Sequence, residues 1–203
     1  MYLLKKDILK LISDKNLIIK PLLCEDTQIN ELSIDFRLGC DFLVSIQGRD
    51  SSINTSYNDR DSGHITNFFQ ETRRRLGDSF LLHPNQTVLT TTLEYVKLPK
   101  NIFAILSMRS SYSRLGLTIS TIIQPGYCGC LSLELTNNNK NPINLTVGAR
   151  LVQARLVQLT EDTNYFSNPR KYICSVRPEI SALYNDKELE SLHELWLLIN
   201  NKS

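Results

Sequence analysis

The chain of 203 residues has no apolar run near the roughly 20 residues that a membrane-spanning helix needs. Its longest apolar stretches, such as residues 195–199, are short. The first six residues become charged at once and lack the apolar centre of a secretion signal. Five cysteines, an odd number, do not suit the disulfide framework of a small secreted protein. We therefore expect a cytoplasmic protein with no membrane partner.

An excess of charge of one sign is also missing. The chain carries 23 Lys and Arg against 21 Asp and Glu, a net charge of +2. A nucleic-acid-binding protein usually shows a strong basic excess, so no nucleic-acid partner is expected. Hydrophobic residues make up 41% of the chain, enough for a real core, and this excludes wholesale disorder.

Zinc motifs are incomplete. Cys128 and Cys130 are separated by one residue, whereas a zinc knuckle needs two, and no second pair exists. His193 and Glu194 begin like the H-E-x-x-H motif, but Leu197 stands where the second histidine belongs. The signature of zinc-dependent nucleobase deaminases, the G-x-x-x-x-G-K phosphate loop and the G-x-S-x-G nucleophile motif are absent as well. No metal ligands and no zinc are predicted.

The pattern of apolar residues is dominated by short strands separated by turn residues. The spacing predicts a helix over 5–15, a strand near 17–19, a strand over 33–44 that is broken near Gly39, and further strands over 80–82, 87–96, 102–107, 117–123, 129–136, 143–145 and 151–159. A polar insertion or flap is predicted over 47–79 and an amphipathic helix over 186–199. This favours an all-β barrel or sandwich with minor helices. The predicted domain covers 1–181, and 182–203 form a helical tail.

Two places carry groups suited to chemistry. The segment 108–117 holds two arginines and three serines at the end of a strand, and guanidinium and hydroxyl groups are good phosphate ligands. Glu134 lies in an alternating strand, on the face opposite Leu131, Leu133 and Leu135. A partly buried glutamate there would serve as a general base or acid. An ion pair between a glutamate and an arginine inside a barrel is the alternative, and spacing alone does not decide.

Several ordered runs resemble the dCTP deaminase branch of the dUTPase-like superfamily. They are RSSYSRLGL, QPGYCGCLSLELTN and NPINLTVGARLVQARLVQL, with SIDFRLG, LHPNQTVLTTTLEYVKLPKNIFA and the tail KYICSVRPEIS beside them. The likeness covers roughly residues 5–180 apart from the insertion. It implies a distorted β-barrel or jelly-roll-like fold and a homotrimer with active sites between subunits. It also implies zinc-independent hydrolysis of dCTP to dUTP and ammonia, with Mg²⁺ on the triphosphate.

The resemblance also assigns roles. Glu134 matches the catalytic glutamate that activates water, and Arg114 and Ser110 match the pair that orients it. The resemblance implies nucleotide contacts for seven further residues: Arg109 and Ser111 in the arginine–serine segment, Gln124 in the following link, Tyr127 against the deoxyribose, and Tyr165, Lys171 and Tyr172 in the closing tail. The contact of Tyr127 with the sugar would exclude a 2′-hydroxyl.

The link over residues 118–124, directly before Pro125, departs from the family pattern. It reads TISTIIQ, is shorter than in well-studied members, and has Gln124 where an acid is expected. Hydrolysis of dUTP uses an acid there to activate water, so its absence weighs against that reaction. Two other functions stay open from the sequence: a trimeric deoxynucleotide-binding protein with weak or no catalysis, and a dUTP or dCTP diphosphate hydrolase.

Overall fold

The fold is described from a computed structural model. It describes residues 1–47, 52–53, 55, 65–119, 121–168, 170–172, 174–183 and 186–200. Within the predicted polar insertion over 47–79, residues 48–51, 54 and 56–64 lie outside the described residues. Its described end differs from the prediction, because Phe69–Arg73 forms a strand.

The described elements follow the predicted order closely. Four α-helices have both ends in the described part of the chain: α1 Lys5–Ser13, α2 Glu25–Gln28, α3 Ser110–Ser113 and α4 Lys187–Asn200. Eleven strands are present among the described residues: β1 Ile18–Lys20, β2 Ile34–Ser45, β3 Phe69–Arg73, β4 Ser79–Leu82, β5 Thr87–Lys97, β6 Ile102–Met108, β7 Leu117–Thr118, β8 Thr121–Ile123, β9 Cys128–Asn137, β10 Ile143–Thr146 and β11 Arg150–Gln158. Two predictions are wrong in detail. The single strand expected over 117–123 is split into β7 and β8, and the short helices α2 and α3 were not expected.

One antiparallel sheet holds nine of these strands. Its main path runs β7-β9-β5-β2-β11-β6-β8, with β1 beside β5 and β3 beside β2, while β4 and β10 form a separate pair. A side-chain hydrogen bond joins β8, at one end of this path, to β9, near the other end. A contact between strands so far apart in the path requires a curled sheet. The predicted mostly β architecture is therefore confirmed.

The core lies on the inner face of the curled sheet. Leu131, Leu133 and Leu135 alternate inward along β9, as their period of two predicts, and each is at most 1% exposed. The rings of Phe42 on β2 and Phe80 on β4 stack with their centroids 4.1 Å apart. Burial of such large apolar side chains is the main favourable contribution to folding.

The predicted break of the strand near Gly39 is wrong, because β2 is continuous over Ile34–Ser45, but its pairing with β5 is irregular there for a steric reason. The β2–β5 pairing shifts register between Leu38 and Phe42. A Cβ atom at Gly39 would lie 2.6 Å from the carbonyl oxygen of Thr91 on β5, closer than carbon and oxygen approach. The glycine therefore permits the close approach of β2 and β5 at the irregularity.

The chain divides into two compact units. One consists of Met1–Val44 and Glu71–Glu179 and holds most of the sheet and all the predicted site residues; the other consists of Ser45–Gln70 and Ile180–Ser203. The predicted C-terminal helix is confirmed as α4, and its apolar side chains, Trp196 among them, are exposed. The predicted domain boundaries stay a prediction. No helix in the described part of the chain is long and apolar enough to cross a membrane.

A buried carboxylate joins β5 to β2 and α2. The side chain of Glu94 is fully buried and accepts hydrogen bonds from the backbone N–H of Arg37 at 2.9 Å and from Gln28 Nε2 at 2.8 Å. The Arg37 guanidinium lies 3.3 Å from the same carboxylate. Burial raises the pKa of Glu94, because the desolvation of the charged form outweighs the hydrogen bonds and charge that Arg37 supplies.

This raised pKa predicts a pH dependence of stability. Above the usual glutamate pKa of about 4.3, the folded protein holds more proton on Glu94 than the unfolded chain does, so its contribution to stability falls as the pH rises. In Glu94→Gln this titration is absent. We expect the free energy of unfolding of the natural protein, minus that of the variant, to decrease as the pH rises from about 4 in urea titrations. A difference that is constant or rises with pH would contradict the assignment.

Candidate active site

The arginine–serine segment folds into a short helix at the end of β6. Arg109 precedes α3, and its carbonyl oxygen accepts the backbone N–H groups of Tyr112 and Ser113 at 2.9 and 3.0 Å. Ser110, Ser111 and Arg114 lie in or directly after this helix, and their side chains are exposed. The segment therefore presents the hydroxyls of Ser110 and Ser111 and the guanidinium of Arg114 to solvent.

The buried carboxylate of Asp35 fixes the position of Arg109, the residue directly before α3. This carboxylate is 2% exposed and lies 3.2 Å from Arg109 Nε and 3.6 Å from Arg150 Nη1. Asn30 Nδ2 and Gln153 Nε2 donate further hydrogen bonds to the Asp35 carboxylate at 3.2 and 3.3 Å. The Arg109 guanidinium also donates to the carbonyl oxygen of Arg150 at 3.2 Å. This cluster ties the end of β6 to β2 and β11, so the position of α3 depends on it.

The end of α3 rests on the turn after β9. Gly116 adopts a positive φ of 90°, and a Cβ there would lie 3.0 Å from the backbone nitrogen of Asn139. Asn139 Nδ2 donates to the carbonyl oxygen of Leu115 at 2.9 Å. The backbone N–H of Asn138 donates to the carbonyl oxygen of Gly116 at the same distance. The side-chain amide of Asn137, which is fully buried, donates to the carbonyl oxygens of Leu82 on β4 and Asn141 in the turn. The asparagine run therefore anchors the arginine–serine segment.

Glu134 lies on the outer face of β9. Its side chain is exposed, and Thr121 Oγ1 on β8 donates a hydrogen bond of 2.7 Å to Glu134 Oε2. The expectation of a partly buried glutamate is wrong for the single chain. The leucines of β9 point to the buried face of the strand, and Glu134 points to the opposite, exposed face. The alternative, an internal ion pair with an arginine, is wrong as well: within the described ranges Glu134 has no ion pair.

The link residues have mainly structural contacts in the single chain. Gln124 is half-buried at the turn after β8, where its backbone oxygen accepts the N–H of Tyr127. Tyr127 is 7% exposed, and its hydroxyl donates to the carbonyl oxygen of Cys130 at 2.6 Å. Burial raises the pKa of the Tyr127 phenol well above its usual value. The contact of Tyr127 with a deoxyribose stays a prediction.

The predicted closing tail follows β11. Tyr165 and Phe166 pack edge to face with ring centroids 4.9 Å apart, and the Arg170 guanidinium lies 4.6 Å above the Tyr165 ring. The side chains of Lys171 and Tyr172 are exposed. Tyr172 adopts a positive φ of 59°, a strained conformation for a residue with a large side chain.

Beyond Tyr172 the tail is attached to β9. The backbone N–H of Cys174 donates to the carbonyl oxygen of Cys128 at 2.8 Å, and that of Cys130 donates to Ser175 at 2.9 Å. Gly129 between them has a φ of 138°, and a Cβ there would lie 2.7 Å from the Ser175 carbonyl oxygen. This glycine therefore allows the tail to lie against the strand that carries Glu134.

No cluster of three or more His, Cys, Asp or Glu side chains is placed to hold a metal ion in the described part of the chain. Cys130 is buried near Glu94, and burial raises the pKa of its thiol to about 11.

Comparison with known proteins identifies the family. A family model described as dCTP deaminase-like matches residues 2–159. The chain belongs to the dCTP deaminase-like family. It is 35% identical to a dCTP deaminase, dUMP-forming, of Dictyoglomus turgidum, over 92% of this chain and 96% of the relative. It is 33% identical to a dCTP deaminase of Halorubrum lacusprofundi, over 94% and 95% of the two chains.

A solved structure agrees with this family. The crystal structure of the 2′-deoxycytidine 5′-triphosphate deaminase from Agrobacterium tumefaciens superimposes with a TM-score of 0.57 and 25% sequence identity. The match covers 76% of this chain and 46% of the other. The resemblance drawn from the sequence motifs and the dUTPase-like fold are therefore confirmed. The roles of the individual residues stay predictions.

In this member of the dCTP deaminase-like family, the predicted residues form separate groups. Arg109, Ser110, Ser111 and Arg114 share one segment, whereas Glu134 is in contact with Thr121. Within the described residues, no hydrogen bond or ion pair joins Glu134 to Ser110 or Arg114.

Sequence reasoning missed three residues that hold these groups: Asp35, Arg150 and Thr121. Asp35 had a signal, since it stands in the SIDFRLG run, but only the fold shows which arginines it meets. Arg150 had the same kind of signal, since it stands in the NPINLTVGARLVQARLVQL run. Thr121 had none, because threonines are common in strands of this kind.

The Asp35 cluster predicts a stability effect. Asp35→Asn removes the charge that two arginines share, and we expect a loss of about 3 kcal/mol in the free energy of unfolding, as for one partner of a buried ion pair. Asp41→Asn is the matched control on the same strand. Arg73 Nη1 lies 3.6 Å from Asp41 Oδ1, and the Arg73 side chain is mostly exposed. We therefore expect Asp41→Asn to lower the free energy of unfolding by no more than about 1 kcal/mol. Equal losses in urea denaturation would contradict the role given to Asp35.

Proposed function

We propose that the protein hydrolyses dCTP to dUTP and ammonia. The observation that carries this proposal is the arrangement of the arginine–serine segment, anchored by Asp35, together with Glu134 on β9, in a chain that matches dCTP deaminases over nearly its whole length. The family is one of hydrolases acting on deoxynucleotides, so an enzyme is the expected class. The cytoplasm is the expected compartment.

The triphosphate would bind at the arginine–serine segment. The exposed hydroxyls of Ser110 and Ser111 and the guanidinium of Arg109, which is one-third exposed, are suited to phosphate oxygens. Lys171 and Tyr172, with Tyr165, would close over the nucleotide from the tail. The binding energy of the phosphates then holds the cytosine in place while it reacts.

Glu134 would move the protons of the reaction. It takes a proton from water as the water oxygen bonds to C4 of cytosine, and delivers this proton to N3. It then takes the second water proton and delivers it to the amino group, so that the C4–N4 bond breaks and ammonia leaves with a C4 carbonyl in its place. One carboxylate that cycles between its two forms serves both transfers. Arg114 and Ser110 would orient it.

A trimer would complete the site. In the single chain, Glu134 is exposed and has no described contact with Ser110 or Arg114. We infer that a second copy of the chain supplies the missing side of the pocket, as the resemblance to the family implies. Magnesium enters as part of the substrate, bound to the triphosphate, and zinc has no part in the proposed chemistry.

The product distinguishes two activities. Relatives named dCTP deaminase and dCTP deaminase, dUMP-forming, are both similar to this chain. Gln124 stands where dUTP hydrolysis would use an acid, and an amide does not take a proton from water. This favours dUTP as the final product. A dUMP-forming enzyme is the second candidate, because several of the most similar relatives carry that name.

Product analysis tests this choice. With dCTP and magnesium, we expect ammonia and dUTP in equal amounts and no pyrophosphate, and with dUTP no reaction. Activity should survive a zinc-selective chelator, and CTP should be a poor substrate if Tyr127 packs against the sugar. Release of pyrophosphate and dUMP from dCTP would instead favour the second candidate. Tight binding of dCTP without any product would indicate a binding protein.

Glu134→Gln tests the proton shuttle. The change is nearly isosteric, and the amide oxygen still accepts the hydrogen bond from Thr121, so the melting temperature and the affinity for dCTP should be retained. The rate of ammonia release should fall by about 10²–10⁴-fold or more, because the group serves two proton transfers. Glu71→Gln, on an exposed position of β3, is the control and should be as active as the natural protein. A folded Glu134→Gln protein with a near-normal rate would remove Glu134 from the mechanism.

A further inference from the structure

Glu134 receives one described hydrogen bond, from Thr121. Thr121 Oγ1 donates to Glu134 Oε2 at 2.7 Å, a short distance that is typical of a hydroxyl bound to a carboxylate. The two residues belong to strands that are not paired along the sheet path, β8 and β9. This contact therefore depends on the curl of the sheet.

The donor is held by secondary structure. Thr121 pairs with Leu106 of β6, and Ile123, two residues on, is 5% exposed and anchors β8 in the core. A β-branched side chain in a strand has few rotamers, so the hydroxyl is well fixed. The last torsion of a glutamate is broad, whereas a fixed donor on one oxygen selects one orientation of the carboxylate.

We propose that Thr121 is a positioning residue for Glu134, supplied by the shortened link. The proposal rests on the proposed function. The Thr121 hydroxyl occupies Oε2 and orients the carboxylate, so Oε1 is the oxygen that takes each proton from water and passes it to N3 or to the leaving amine. The link has Gln124 where an acid is expected, and through Thr121 it contributes a neutral donor to the glutamate.

Paired substitutions test this role. Thr121→Val keeps the β-branched shape and removes the donor, while Thr121→Ser keeps the donor. We expect kcat for ammonia release from dCTP to fall at least about tenfold in Thr121→Val, the loss typical of a hydrogen bond to a charged group, with KM within about twofold of normal. Thr121→Ser should keep most of kcat. A donor that only stabilised the fold would change the melting temperature and leave the kcat of the folded protein unchanged.

The control is Thr87→Val. Thr87 on β5 is also a strand threonine whose hydroxyl meets a residue of β9, Thr136, at 2.9 Å, and it has no part in the proposed site. We expect this variant to keep a normal kcat. A normal kcat in folded Thr121→Val, or an equal loss in Thr121→Ser, would overturn the proposal while leaving the deaminase function in place. A natural protein that releases no ammonia from dCTP would overturn both.

Discussion

The buried carboxylate of Asp35 is the constraint on which the arrangement of the site depends. It lies under the place where β2, β6 and β11 meet and is paired with Arg109 and Arg150. Because Arg109 immediately precedes α3, the ion pair determines where the arginine–serine segment begins. The opposite end of the segment is fixed by Asn139 after β9. The segment with the exposed serines is thus held by polar contacts at both ends, of which only the Asp35 carboxylate is deeply buried.

The curl of the sheet has a comparable role for Glu134. Leucines occupy the inner face of β9, and the side chain of Glu134 on the outer face is exposed. The curl brings β8 over this face and supplies Thr121 as a donor. The tail reaches the same strand near Gly129, where the absence of a Cβ allows close contact. Glu134, its donor Thr121 and the attached part of the tail are therefore placed by one curved strand and its neighbours.

Most elements were predictable because their signals are local. Alternating apolar residues and turn residues located the strands from β4 to β11, and the helical period located α1 and α4. The split of residues 117–123 into β7 and β8 was not predictable, since both halves are apolar and β-branched and differ only in the strand each one pairs with. The exposure of Glu134 was missed because flanking leucines say nothing about the opposite face of a strand.

By itself, the sequence determined the family, the strand order along the chain and the identity of the groups able to bind phosphate or move a proton, because these depend on residue types and on their spacing. It placed Arg109, the serines and Glu134 in their motifs without showing what surrounds them. Only the tertiary structure decided that Asp35 meets two arginines from distant strands, that Tyr127 donates to the backbone of β9, and that Thr121 meets Glu134. Such contacts join residues up to 118 positions apart, such as Asp35 and Gln153. They arise from the register and curl of a sheet that no local pattern encodes.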